Sequence, residues 1–277
     1  DPKGWSLLGR DYFYLKLKDE AAVALQKAMD LGDKSKDMFT ILFRVRVERK
    51  DWQGALDAIK NGEPNNADLL KLAQVQAFLG NQPAADSVYR QIVEKDSLSN
   101  DGKFAVLELA KMQYRAKDYA NAISTLQRRI ALDGTSDEAY YYLGLSLKEM
   151  KQLPDAIAAL RQAANLAPAK GDRHFWLAVT LTQADSIEAA LEEFRTMVAV
   201  DSTSKNAAVA HQQLGFRRLL TKDWPGAIIE LEKSIAIDPQ NVQSLIWLAQ
   251  AYQNSGNRKK AEEYYRKVLE IQPGEPN

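Results

Sequence analysis

Tyr142-Leu143-Gly144 followed by Asp155-Ala156-Ile157, Gln213-Leu214-Gly215 followed by Gly226-Ala227-Ile228, and Trp247-Leu248-Ala249 followed by Lys260-Ala261-Glu262 decide the fold of this chain. Each stretch sets a Leu and a small residue 12 or 13 positions ahead of an alanine, and each leads to a proline: Pro168, Pro239 and Pro273. Leu214 and Leu248 are 34 residues apart, as are Ala227 and Ala261, and Pro239 and Pro273. A fixed period of this length marks one supersecondary unit copied along the chain. Outward from the core stretches, the small pairs recur as Gly9 with Ala21, Ala73 with Ala85, and Ala110 with Ala122. Apolar residues follow i, i+3, i+4 spacing, which predicts helices throughout, and no period-two segment of useful length predicts a strand.

This pattern resembles the tetratricopeptide repeat, a helix–turn–helix unit. The resemblance implies an all-α fold, a right-handed α-solenoid of eight stacked repeats. The repeats are expected at 2–35, 36–65, 66–99, 103–136, 137–170, 171–204, 208–241 and 242–275, a single array over 1–277. Insertions at 100–102 and 205–207 are expected to lengthen inter-repeat loops. The second repeat departs most: it is four residues short and puts Phe43 where a small residue is usual. Its second helix is expected to end early, near Asn61-Gly62, or its first to be displaced. The small residue of the first helix (A) and the alanine of the second (B) lie where the two cross and let the backbones approach. Asp51, Asp118 and Asp223 stand where they can cap the B helices, and Pro168, Pro239 and Pro273 stop the B helices they follow. No single hairpin buries its apolar face, so neighbours must stack. In the eighth repeat Glu262 stands where the others are apolar, amid Lys259, Lys260, Glu263, Arg266 and Lys267, so the array is expected to end there.

Composition narrows the function. Lys plus Arg and Asp plus Glu each total 37, giving zero formal charge. Such a chain gains no long-range attraction to phosphate, which argues against nucleic acid as a partner. No run approaches the roughly 18 apolar residues of a membrane helix, so no membrane insertion is expected. The absence of cysteine excludes disulfides and thiolate metal sites, and favours an oxidising compartment such as the periplasm slightly over the cytoplasm. The chain starts at Asp1 without Met or an apolar leader, which reads as a mature form or a piece of something longer.

Catalytic signatures are missing: neither GxGxxG nor GxxxxGK occurs. One SxxK, Ser202-Thr203-Ser204-Lys205, lacks companion motifs and reads as a polar turn. The two histidines, His174 and His211, hold the fourth position of adjacent repeats, about 8–10 Å apart on stacked helices and too distant to share a metal. The carboxylate pairs Glu192-Glu193 and Glu262-Glu263 read as solvated charge. No catalytic residue, cofactor or metal is expected.

In the family that the chain resembles, helix A lines the concave surface, and its positions 2, 5, 6, 9, 12 and 13 meet the ligand. Those positions hold Phe104, Leu107 and Tyr114 in the fourth repeat. They hold Tyr141, Tyr142 and Leu145 in the fifth, Phe175, Trp176 and Val179 in the sixth, and Phe216 in the seventh. Aromatic surface of this kind favours a protein or peptide partner. Gln212 and Gln213 interrupt the series, so Trp247 is expected to stand apart. The Lys and Asn residues of the family's carboxylate clamp are absent from positions 5, 6 and 9, which argues against chaperone C-terminal tails. The asparagine ladder known from O-GlcNAc transferase and the peroxisomal import receptor is missing too. The expected function is therefore a scaffold or adaptor that holds a partner's helix or extended segment in its groove. Alternatives are a self-associating assembly protein, or a regulatory or substrate-delivering module of a larger enzyme.

Overall fold

The computed structural model of the protein describes residues 1–272; Pro273 and the end of the eighth repeat lie outside the described residues. Every regular element among the described residues is an α-helix. The chain groups into two compact units, Asp1–Gly134 and Thr135–Asn277. In the first unit α1 (Pro2–Tyr14) pairs with α2 (Lys18–Asp30), and α3 (Lys36–Glu48) with α4 (Trp52–Ile59). Next come α5 (Asn66–Phe78) with α6 (Gln82–Asp96), and α7 (Asn100–Arg115) with α8 (Tyr119–Leu132). In the second unit α9 (Asp137–Glu149) pairs with α10 (Leu153–Leu166), and α11 (Gly171–Gln183) with α12 (Ile187–Val200). It continues with α13 (Lys205–Leu220) and α14 (Trp224–Ile237), then α15 (Val242–Asn254) and α16 (Arg258–Ile271). Odd-numbered helices are the A helices and even-numbered the B helices.

The turn between A and B is the same in every hairpin. One residue takes a left-handed backbone: Lys16, Lys50, Gly80, Lys117, Lys151, Asp185, Lys222 and Gly256. Their successive spacings are 34, 30, 37, 34, 34, 37 and 34 residues. The backbone amide after each turn closes onto helix A, as Gln152 N donates to Leu147 O at 3.0 Å. A lysine with φ near 60° is strained by its Cβ, by roughly 1–2 kcal/mol, while glycine there loses more freedom on folding, by about 0.5–1 kcal/mol. Lys151→Gly is therefore expected to stabilise the second unit by about 0.5 kcal/mol, read as a raised urea midpoint. A lowered midpoint would show that the lysine side chain contributes more than the strain costs.

Inside each hairpin the crossing is tight. A Cβ on Gly144 would stand 2.5 Å from Leu160 Cγ, and one on Gly215 would stand 2.6 Å from Leu231 Cγ. Ala156 and Ala227 are fully buried on the opposing helices. Asp51 and Asp223 cap α4 and α14, each accepting at 3.0 Å from the amide three residues on.

The second hairpin is irregular in the way its length requires. α4 has only eight residues and ends two positions before Asn61-Gly62. The chain then folds back on the start of α3: Glu63 N donates to Thr40 Oγ1 at 2.8 Å, and Lys36 pairs with Glu63. Phe43 is buried in the core of this unit with Leu42, Ile59 and Tyr89, a large side chain where the other hairpins carry Gly or Ala.

The two insertions do not enlarge loops. They extend helices: α7 and α13 have 16 residues where the A helices α9, α11 and α15 have 13. Ser99 and Ser204 cap these longer helices, accepting from Gly102 N and Ala207 N. Asp96 and Asp201 accept the amides of the residues just before. Three residues make most of a helical turn, so a capped extension satisfies backbone groups that a loop would leave to water.

Along the second unit, α9 touches α11, α11 touches α13 and α13 touches α15, whereas B helices do not pair with one another to a comparable extent. Each hairpin is thus narrower on its A side, and the A helices line the inside of this unit's curve.

Candidate functional site

Adjacent helical residues point about 100° apart, so the aromatic doublets divide their labour. In the sixth repeat Phe175 turns inward, buried against Phe194 with ring centroids 6.2 Å apart. Trp176 stays half-buried, with Lys148 Nζ of α9 5.1 Å from its ring centroid. In the fifth repeat Tyr141 lies beneath the guanidinium of Arg173, 3.9 Å from its ring centroid. Tyr142 packs edge-on to Tyr141 and is half-buried.

Arg173 is only 5% exposed, and its charge is fully used. Its Nε and Nη2 donate to Asp137 Oδ2 at 3.0 and 2.7 Å, and Nη1 donates to Asp172 Oδ2 at 2.7 Å. Lys170 Nζ donates to the same Asp137 oxygen at 3.0 Å. Burial pushes the Asp137 carboxyl up, but the bonds from Lys170 and Arg173 outweigh it and hold it below the usual range. This cluster fastens α9 to α11 and supports the face that carries Tyr142 and Trp176.

Leu145 is buried beneath the same face, and Val179 is half-buried. Phe216 of α13 stacks on Trp247 of α15, centroids 4.3 Å apart and 20° between planes. The expected interruption by Gln212 and Gln213 is thus bridged. Gln212 is buried and donates to Asn241 Oδ1 at 3.0 Å, while Phe216, one turn further on, reaches across to Trp247. Phe104, Leu107 and Tyr114 belong to the first unit, on α7, where Leu107 is buried and the other two half-buried.

Position 13 of the third repeat was not singled out in the sequence. Phe78 occupies it at the end of α5 and is 90% exposed. Counting that position in every repeat would have found it.

The histidines are structural ties. His174 Nδ1 lies 2.7 Å from Glu193 Oε2 and its Nε2 lies 3.1 Å from Pro168 O; His211 Nδ1 lies 2.7 Å from Glu230 Oε2. The bond from His211 holds the Glu230 carboxyl below its ordinary range, against the opposing effect of burial. Glu193 is therefore not simply solvated charge: a 19-residue spacing brings position 23 of helix B against position 4 of helix A. Glu262 and Glu263 instead pair on the surface with Arg266 and Lys267. Ser202 of the SxxK is exposed in the turn before α13. Among the described residues no group of three or more His, Asp or Glu gathers as metal ligands. No helix among them is long and apolar enough to cross a membrane.

Family models of the tetratricopeptide repeat match residues 69–99, 141–207 and 242–275. The second segment holds Tyr141, Tyr142, Leu145, Phe175, Trp176 and Val179. Among curated proteins, the chain is 27% identical over 169 residues to the BBSome complex member BBS4 of Xenopus tropicalis. That match covers 53% of this chain and 33% of that protein, so the chain spans about a third of the curated relative. Among solved structures, the chain is similar to the C-terminal part of a TPR repeat-containing protein from Cytophaga hutchinsonii. The TM-score is 0.66 at 16% identity, over 88% of this chain and 99% of that one. It is also similar to YrrB, a TPR protein with an unusual peptide-binding site. There the TM-score is 0.58 at 18% identity, over 68% and 93%. At these identities the structural likeness shows the fold.

Proposed function

From the premise that this chain is a tetratricopeptide repeat protein, and so an interaction scaffold, we propose that the A-helix face of its second unit holds a segment of a partner protein. One observation carries this reading: Tyr142, Trp176, Phe216 and Trp247 remain partly exposed on successive A helices of one compact unit. Large aromatic side chains left on an inner surface are the usual anchors of protein interfaces. Leu145 and Phe175, buried beneath them, and the Arg173–Asp137 cluster hold these anchors in place. In the first unit, Phe104 and Tyr114 on α7, above the buried Leu107, offer a separate contact surface. The peptide-binding site of YrrB supports the same use of the fold.

Trp176→Ala is expected to weaken a partner recovered by pull-down about 30-fold, because central aromatic anchors contribute about 2 kcal/mol or more on truncation. Isothermal titration against wild type and variant measures it, with helicity checked by circular dichroism. Unchanged affinity in a folded variant would move the site elsewhere.

A further inference from the structure

We propose that the A-to-B turn edge of the first unit docks on an anionic lipid surface, its apolar tips entering the headgroup region and its lysines meeting the phosphates. This surface is separate from the A-helix face of the second unit and does not depend on the scaffold reading.

Of the ten large apolar side chains that the first unit exposes, five lie within two residues of the left-handed residue of an A-to-B turn. They are Tyr14, Leu15 and Leu17 around Lys16, and Phe78 and Leu79 before Gly80. These turns stand at the ends of the helices, clear of the faces on which hairpins stack. Phe78 is 90% exposed, and Tyr14 and Leu15 are each 68% exposed. Apolar groups gathered on one edge mark a surface that meets a partner.

Charge names the partner. Lys16, Lys50 and Lys117 hold the turn position with φ of 61°, and among the described residues their ammonium groups form no ion pair or hydrogen bond. Arg115, two residues before Lys117, forms no ion pair either. The acids within four residues of these turns are mostly engaged. Glu48 Oε2 lies 3.2 Å from Lys18 Nζ, and Asp19 Oδ1 lies 3.0 Å from Arg49 Nε. Asp51 caps α4 and lies 3.7 Å from Arg46 Nε, while Asp118 caps α8. Among the described residues Glu20 alone of these acids has no partner, against four free cations. Nothing inside the chain offsets the backbone strain of the three lysines, which points to a contact outside it. The ion pairs from Lys18 and Arg49 also set the first two turns side by side. One groove is lined by Pro83, after the third turn, and by Ala116, beside the fourth, so those two adjoin as well. The edge is thus a series of separate tips with cations between them. A folded partner would need a pocket for each tip, whereas lipid headgroups rearrange around all of them. Lysine stems lie along apolar surface while the ammonium reaches the phosphates, and Tyr14 has the apolar body and polar end that suit the interface. Apolar burial and attraction to anionic lipid add, and surface binding of this kind uses both.

The test is co-sedimentation of the intact chain with vesicles of phosphatidylcholine carrying about 30% phosphatidylserine, and with vesicles of phosphatidylcholine alone. Binding should favour the anionic vesicles and weaken as salt is raised. Lys16→Gln, Lys50→Gln and Lys117→Gln together should lower the partition about 100-fold, at about fivefold for each charge near an anionic surface. Glutamine keeps the same backbone cost at the turn, and circular dichroism checks the fold. Leu15→Ser with Phe78→Ser should lower the partition about tenfold or more, an effect that adsorption by charge alone would not show. No binding to either vesicle, equal binding to both, or an apolar variant that binds as tightly as wild type would overturn the proposal. Retention on immobilised polyglutamate without vesicle binding would also overturn it, in favour of an acidic protein partner. Each of these outcomes leaves the partner-holding face of the second unit to its own test.

Discussion

Phe43→Ala is expected to destabilise the first unit by about 3–5 kcal/mol, the cost of deleting a fully buried aromatic side chain from a packed core. Phe43 is 1% exposed, and it stands where the other hairpins place Gly or Ala. In those hairpins the small residue lets helix B approach along its full length. Here α4 stops after Ile59, and Phe43 is buried in one core with Leu42, Ala55 and Ile59. The short backbone cannot close on the resulting cavity, because residues 61–64 are tied to the start of α3 through Glu63 and Thr40. Urea denaturation followed by circular dichroism and by tryptophan fluorescence would measure the loss. A change below about 1 kcal/mol would mean that α3 and α4 can collapse together, and that the short repeat is a loosely packed joint.

Arg173→Met is expected to cost the second unit about 3 kcal/mol, at the lower end for removing one partner of a buried ion pair, because Asp137 keeps Lys170. The change leaves Asp137 one cation short, releases Asp172 to solvent and removes the cover from Tyr141. It also has a pH signature. The Asp137 carboxyl is held below its ordinary range, so its contribution is fully present above its unfolded value of about 3.9 and is lost as pH falls through the lower folded value. Wild type should therefore lose stability on going from about pH 5 into strong acid, and the variant should lose less over the same interval. Urea midpoints at neutral and acid pH test both claims. Equal acid losses in the two proteins would remove Asp137 from the account.

The hairpin architecture was legible in the sequence because one spacing carried it. Small residues at the crossing and aspartates at the B-helix starts each have a single structural meaning, and the left-handed turn falls at the same place in all eight repeats. The early end of α4 was legible from a missing length. The candidate face was legible only in part. Positions 5 and 6 of a repeat are neighbours in sequence but point apart on a helix, so Phe175 went to the core and Trp176 did not. Arg173, at position 3, gave no signal of its own. Its meaning appears only when Asp137, 36 residues earlier, is brought beside it by stacking. The His–Glu ties were hidden for a similar reason, although the same 19-residue spacing occurs twice.

The three-residue extensions of α7 and α13 say where this gene can change length. Both lie on the outer side of the A-to-B turn, at the start of helix A, where added codons lengthen a capped end and leave every downstream residue in its place. The same three codons inserted beside Lys151 would turn all that precedes them in helix A by about 60° relative to helix B and shift it by about 4.5 Å. Gly144 would then leave Leu160, and Tyr142 would leave the inner face. Insertions gained over time should therefore collect just ahead of A helices, around residues 97–99 and 202–204. The span from helix A through the turn into helix B should keep its count.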